Sequence, residues 1–144
     1  MARPIHLAWG GGDAAWDTDP VPETVNDAVL VDEIGRRLVS QARYCLPDET
    51  GEIIVPTGRF TESSTPTRHI YLRFNFDFDD APAATIREVA VFVGTQTDAG
   101  LPPGQMYFEP ENVVDPGTLL VIERTQKFDR SPSVRQSFEF VITF

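Results

Sequence analysis

The sequence contains one cysteine, Cys45, one lysine, Lys127, and two histidines, His6 and His69. A single thiol excludes an intramolecular disulfide and fits folding in a reducing cytoplasm. His6 and His69 are too far apart in sequence to form a short-spaced metal-ligand set. Basic charge is also scarce: 12 Lys and Arg stand against 22 Asp and Glu, a formal net charge of −10. That balance argues against unassisted binding to nucleic acid, where affinity rests on neutralising phosphates. It argues equally against an anionic membrane surface. No apolar run is long enough to span a bilayer, and Met-Ala-Arg-Pro is not expected to open a secretory signal. Neither nucleic-acid binding nor membrane insertion is expected.

What is present suits a folded domain. The 144 residues can bury a sizeable core, and 41% hydrophobic with 24% charged residues is an ordinary globular composition. Every basic residue except Lys127 is Arg, the residue enriched at interfaces for its planar, bidentate pairing. A GC-rich coding bias accounts for this equally well. Phenylalanine is abundant, and Phe74, Phe76, Phe78, Phe92, Phe138, Phe140 and Phe144 fall in segments that read as strands.

Residues 1–23 read as an extended N-terminal interaction arm. Ile5, Leu7 and Trp9 alternate with His6 and Ala8 as in a short strand, Gly10-Gly11-Gly12 stops it, and Trp16 follows in a Pro-containing stretch. Its tryptophans must dock on the domain or on a neighbour. Residues 24–43 read as one packed α-helix. Thr24, Asn26 or Asp27 would cap its start, and Leu30, Val31, Ile34, Leu38 and Ala42 would share a face. Val25, Val29 and Val39 would form a weaker opposite stripe, and Asp32 and Arg36 have ion-pair spacing. A helix with two apolar stripes is expected to be covered on both sides, the second time by the arm or by another subunit.

From residue 52 the period becomes two. Residues 52–60 form a strand candidate demoted to an edge or bulge by Pro56 and Gly58. Ile70, Leu72, Phe74, Phe76 and Phe78 alternate with Tyr71, Arg73, Asn75 and Asp77, as in an antiparallel strand with one buried face. Residues 85–93 end in the continuous apolar run of a central strand, Val89 to Val93. The irregular stretch 94–117 carries Leu101, Met106, Tyr107 and Phe108, and a loop of that length is a candidate contact element. Residues 119–125 and 134–144 then form an expected hairpin. The expected architecture is mainly β, with sandwich-like antiparallel sheets, one packed helix and the arm. Residues 24–144 make a single domain in this reading.

No catalytic constellation emerges. Gly10-Gly11-Gly12 lacks the spacing of a dinucleotide fingerprint and the Lys-Ser/Thr of a P-loop. No serine lies in a nucleophile elbow. Asp77, Asp79 and Asp80 lack the Gly and distal Glu of a calcium loop and read as a turn. Glu88 beside Arg87 reads as a structural ion pair as readily as a functional carboxylate. No cofactor is implied.

The order of elements carries a resemblance. Ile-His-Leu-Ala-Trp-Gly-Gly-Gly near the start, then Val-Asp-Glu-Ile-Gly-Arg-Arg-Leu, then Ile-Arg-Glu-Val-Ala-Val-Phe-Val-Gly over residues 86–94 resemble the N-terminal attachment domains of tail-collar and tail-fibre proteins of contractile-tailed bacteriophages. Glu88, Val89, Val91 and Phe92 match the strand pattern of those domains, and Ala90 stands where a Gly is usual. Residues 101–108 and 130–144 are similar to phage baseplate sequences.

Fibre proteins continue into a shaft and tip, so a chain ending at Phe144 leads to the expectation of a small structural subunit. The resemblance implies a non-enzymatic component of a contractile tail, most simply of the baseplate, made in the bacterial host cytoplasm and incorporated into the virion in several symmetric copies. Its partners would be other tail proteins. The residues expected at the interface are Ile5, Leu7, Trp9, Trp16, Val25, Val29, Val39, Leu101, Met106, Tyr107 and Phe108; the alternative is that the tryptophans complete the chain's own core. Two rival readings are a receptor- or carbohydrate-binding β module presenting Tyr71 or Trp16, and a small hydrolase with a dispersed site.

Overall fold

A computed structural model of the chain describes residues 3–144. The strands are β1 (Ile5–Gly10), β2 (Glu33–Leu38), β3 (Gln41–Pro47), β4 (Ile53–Val55), β5 (Gly58–Glu62), β6 (His69–Phe76), β7 (Thr85–Val93), β8 (Gln96–Thr97), β9 (Tyr107–Phe108), β10 (Val113–Asp115), β11 (Thr118–Asp129) and β12 (Gln136–Thr143). Two short 3-10 turns, Ala14–Asp17 and Pro110–Asn112, are the only helical segments among the described residues.

The strands fall into two compact units. One comprises the chain up to Leu38 together with Phe76–Arg135, and the other comprises Val39–Asn75 with Gln136–Phe144. The first holds a five-stranded sheet in the order β11-β7-β1-β2-β9 and a two-stranded ribbon, β10-β8. In that sheet β1 and β7 are central and buried on both faces, as the apolar run into Val93 requires. Ala8 lies directly opposite Ala90 and Leu7 opposite Val91. On one face Ala8, Ala90 and Phe92 form a cluster closed by Leu30, with Leu119 and Ile122 against it. On the other, the Trp9 ring stacks on Phe76 with centroids 3.7 Å apart.

The second unit is built on a five-stranded sheet in the order β12-β6-β3-β5-β4. Cys45, Val55, Phe60 and Tyr71 form its buried cluster, flanked by Ile53 and Val141. Leu72 and Phe74 are also buried, with Phe140 edge-on to Phe74.

Several expectations are corrected. The packed α-helix over residues 24–43 is not formed. Residues 18–32 are irregular, and β2 and β3 occupy the rest. The spacing of Leu30, Ile34 and Leu38 fits a helical face, but Val25, Val29, Val31 and Val39 are β-branched, and Gly35 is costly inside a helix. The sheet uses that glycine: a Cβ there would collide with the Tyr107 hydroxyl. The helical Asp32–Arg36 pair is accordingly absent, and Arg36 pairs with Glu33 instead.

The segment expected as an arm supplies, over Ile5–Gly10, a central strand of the first sheet. The strand expected over 52–60 is a hairpin, β4–β5, turning at Pro56-Thr57. The expected hairpin of the last two strands does not exist, because β11 pairs with β7 and β12 belongs to the other sheet. The long stretch 94–117 is stitched down by β8, β9 and β10, with the Leu38 amide donating to the Met106 carbonyl.

Candidate functional site

Residues 11–32 form a strap on the first unit, beginning where β1 ends. Its shape is imposed from beneath by two residues of the sheet. Glu88 of β7 is 1% exposed. Its carboxylate accepts backbone N–H groups from Gly12 (3.1 Å), Val31 (2.9 Å) and Asp32 (2.8 Å), tying both ends of the strap to one point. A carboxylate accepting several backbone N–H groups offsets its own burial. The glycines serve this junction: a Cβ at Gly10 would lie 2.5 Å from Glu88 Oε2, and Gly12 is left-handed with φ +59°.

Arg124 of β11 fixes the middle of the strap. Its guanidinium donates to the Val21 and Pro22 carbonyls at 2.9 Å, lies 3.6 Å from Asp27, and stacks 4.6 Å from the Trp16 ring. Its backbone N–H donates to Glu23 at 2.6 Å. Arg87 pairs through two nitrogens with Asp17. Leu30 is the strap's apolar plug, packed on Ala8, Ala90 and Phe92. With the polar and apolar anchors turned inward, Val21, Val25, Val29 and Val31 face solvent, Val25 at 102% and Val29 at 62% exposure. A groove of about 570 Å³ runs between the strap and β11, bordered by Trp16, Val21, Glu23 and Lys127.

The residues expected at an interface are not brought together. Ile5, Leu7, Trp9 and Phe108 are buried in the chain's own core. Tyr107, half-buried, accepts a hydrogen bond from the Trp9 indole at 3.0 Å, and with Phe108 forms the edge strand β9. Trp16 is half-buried under Arg124, and Val39, Leu101 and Met106 are half-buried. Only Val25 and Val29 of the set are exposed. Tyr71 is buried too, its hydroxyl donating to Glu139 at 2.6 Å.

Several other polar groups serve the fold. Arg36 is 2% exposed, paired through two nitrogens with Glu33, donating to Thr95 Oγ1 and the Pro116 carbonyl at 2.9 Å, and lying 4.4 Å from the Phe92 ring. Burial, and secondarily the charge of Arg36, lower the His6 pKa to about 4, so this buried imidazole is neutral at pH 7. Burial pushes the Tyr107 hydroxyl up to about 12, and burial with Glu139 does the same to Tyr71. Burial raises the Cys45 thiol. Asp80 accepts from the Asp77 amide, which is turn chemistry, and forms an ion pair with Arg37 of β2. Among the described residues no group of three His, Cys, Asp or Glu side chains is placed to hold a metal.

In the sequence Glu88 reads as a partner for Arg87 as readily as a functional carboxylate, and its role as the strap's anchor emerges from the fold. The signal was a carboxylate entering a continuous apolar strand. Arg124 left no comparable mark.

The class defined by this fold and surface is an all-β protein of small antiparallel sheets, with buried or covered charges, Glu88, Arg87 and Arg124, holding a strap in place. The whole chain, residues 1–144, matches the family described as baseplate wedge 3 tail fiber network component, and the chain belongs to that family. It is therefore a structural component of a bacteriophage baseplate, located in the virion tail, and it associates with other tail proteins. The curated proteins contain no match to it. The likeness to tail-collar attachment domains rests on the motif alone.

Proposed function

We propose that the chain is a non-enzymatic subunit of a contractile tail that joins neighbouring tail proteins or fibres within the baseplate, in several copies, through its strap. The observation that carries this reading is the full exposure of Val25, with Val29 four residues further on also exposed, on a segment that Glu88 and Arg124 hold in one shape. Exposed apolar residues on a held backbone favour protein contact over solvation, because little ordering is left to do on binding. The buried members of the expected interface set support the fold instead, and the members left exposed, Val25 and Val29, both lie on the strap.

The test is to tag the full chain, purify intact particles and locate the tag by electron microscopy. Label at the distal end of the tail supports the joining role in the baseplate. Label confined to the neck, or a chain that stays in the soluble fraction, overturns it.

A further inference from the structure

The chemistry of the strap specifies its partner more closely, on the reading that the chain joins neighbouring tail proteins. Residues 13–33 carry Asp13, Asp17, Asp19, Glu23, Asp27, Asp32 and Glu33 and no Lys or Arg. Arg87, Arg36 and Arg124 pair with Asp17, Glu33 and Asp27 from beneath. The Arg87 and Arg124 side chains are themselves largely covered. Asp13, Asp19, Glu23 and Asp32 remain exposed on the same strap as the four outward valines, with Asp19 and Glu23 flanking Val21 in sequence.

Glu123 on β11 lies in the same acidic field: its carboxyl is raised by burial and then by the charge of Glu23. Lys127 is the exposed cation nearby, 3.9 Å from Asp17. A second copy of this chain brings the same net charge of −10 and would meet acid with acid.

We infer that the strap receives a segment of another tail protein in which apolar side chains, seated against Val21, Val25 and Val29, are bracketed by Lys or Arg facing Asp19 and Glu23. Complementary charge sets the register and speeds encounter, while the apolar contact slows release.

The experiment places a photo-crosslinking amino acid at Val25 of the full chain in phage particles, with the same group at Thr143 as control, and sequences the crosslinked peptides. The expected product is a peptide of another tail protein with Lys or Arg beside its apolar residues. Asp19→Lys should lower incorporation severalfold, and more so in low salt than in high salt. Val25→Asp should lower it by roughly tenfold.

A chain present in particles that crosslinks to nothing from Val25, to another copy of itself, or to an acidic or uncharged segment overturns this inference and leaves the joining role standing. A chain absent from particles overturns both.

Discussion

Gly10 and Glu88 face one another across the β1–β7 ladder, so closely that a methyl group on residue 10 would sit 2.5 Å from the Glu88 carboxylate. The missing side chain at one position makes room for the buried charge at the other, and that charge gathers the Gly12, Val31 and Asp32 amides. Glu88→Gln keeps the shape but turns one acceptor into a donor aimed at N–H groups. It should destabilise the fold by about 2–3 kcal/mol, the cost of unsatisfied buried donors. Gly10→Ala should destabilise it as well. Urea denaturation of each variant measures this, and a midpoint unchanged in Glu88→Gln would show that the carboxylate is not the anchor.

Much of the sheet could be read from the sequence and little of the strap. The run ending Val89-Ala90-Val91-Phe92-Val93 reads as a strand covered on both faces, and β7 is one. The alternation around Phe74 gives β6 with Leu72, Phe74 and Phe76 buried. Period alone misled where two periods coexist. Ile34 and Leu38 fit a helical face, yet they also alternate along β2, where each neighbouring strand supplies hydrogen bonds that no local rule reveals. The hydrogen bonds of Arg124 and Glu88 to the strap join residues 56 to 103 positions apart, and separations of that kind leave no trace in local spacing.

His6 gives the fold a pH dependence whose sign is fixed by its environment. The folded chain holds its imidazole at a pKa of about 4, against 6.5 when free. The unfolded chain therefore gains a proton near pH 6.5 that the folded chain refuses until near pH 4. Stability is complete above about pH 6.5 and falls as pH drops toward 4, by about 3 kcal/mol in total. Asp17, Asp48 and Asp77, whose pKa values lie below 3.8, contribute their own loss only at lower pH. Denaturation at pH 7, 5.5 and 4.5 should show the decline in the native chain and a flattened profile in His6→Gln. Parallel profiles would remove His6 as the cause.

Arg36 should resist conservative replacement. Its planar guanidinium meets Glu33 through two nitrogens while a third donates to Thr95 and to the Pro116 carbonyl, with its face on Phe92. A lysine ammonium keeps the charge but cannot hold that geometry. Arg36→Lys should cost about 2–4 kcal/mol. Thr95→Val should cost about 1–2 kcal/mol, because the guanidinium keeps its contact with the Pro116 carbonyl. Equal stability of Arg36→Lys and the native chain in thermal or urea unfolding would rule out the bidentate pair as a determinant of the fold.

Leu30 and Val25 lie on the same strap and should behave oppositely. Leu30 fills the cluster of Ala8, Ala90 and Phe92, whereas Val25 is fully exposed. Leu30→Ala should lower stability by about 2–4 kcal/mol and make residues 18–32 more susceptible to protease, since the apolar plug is lost while the polar anchors remain. Val25→Asp removes no contact within the chain and should change unfolding stability by no more than about 0.5 kcal/mol. The comparison separates shape from contact. If the strap works as a docking surface, Leu30→Ala should reduce both stability and incorporation, and Val25→Asp should reduce incorporation alone. A Val25→Asp chain that is as stable as the native one and enters particles equally well would leave the exposed valines without a partner and return the search for the contact to the rest of the surface.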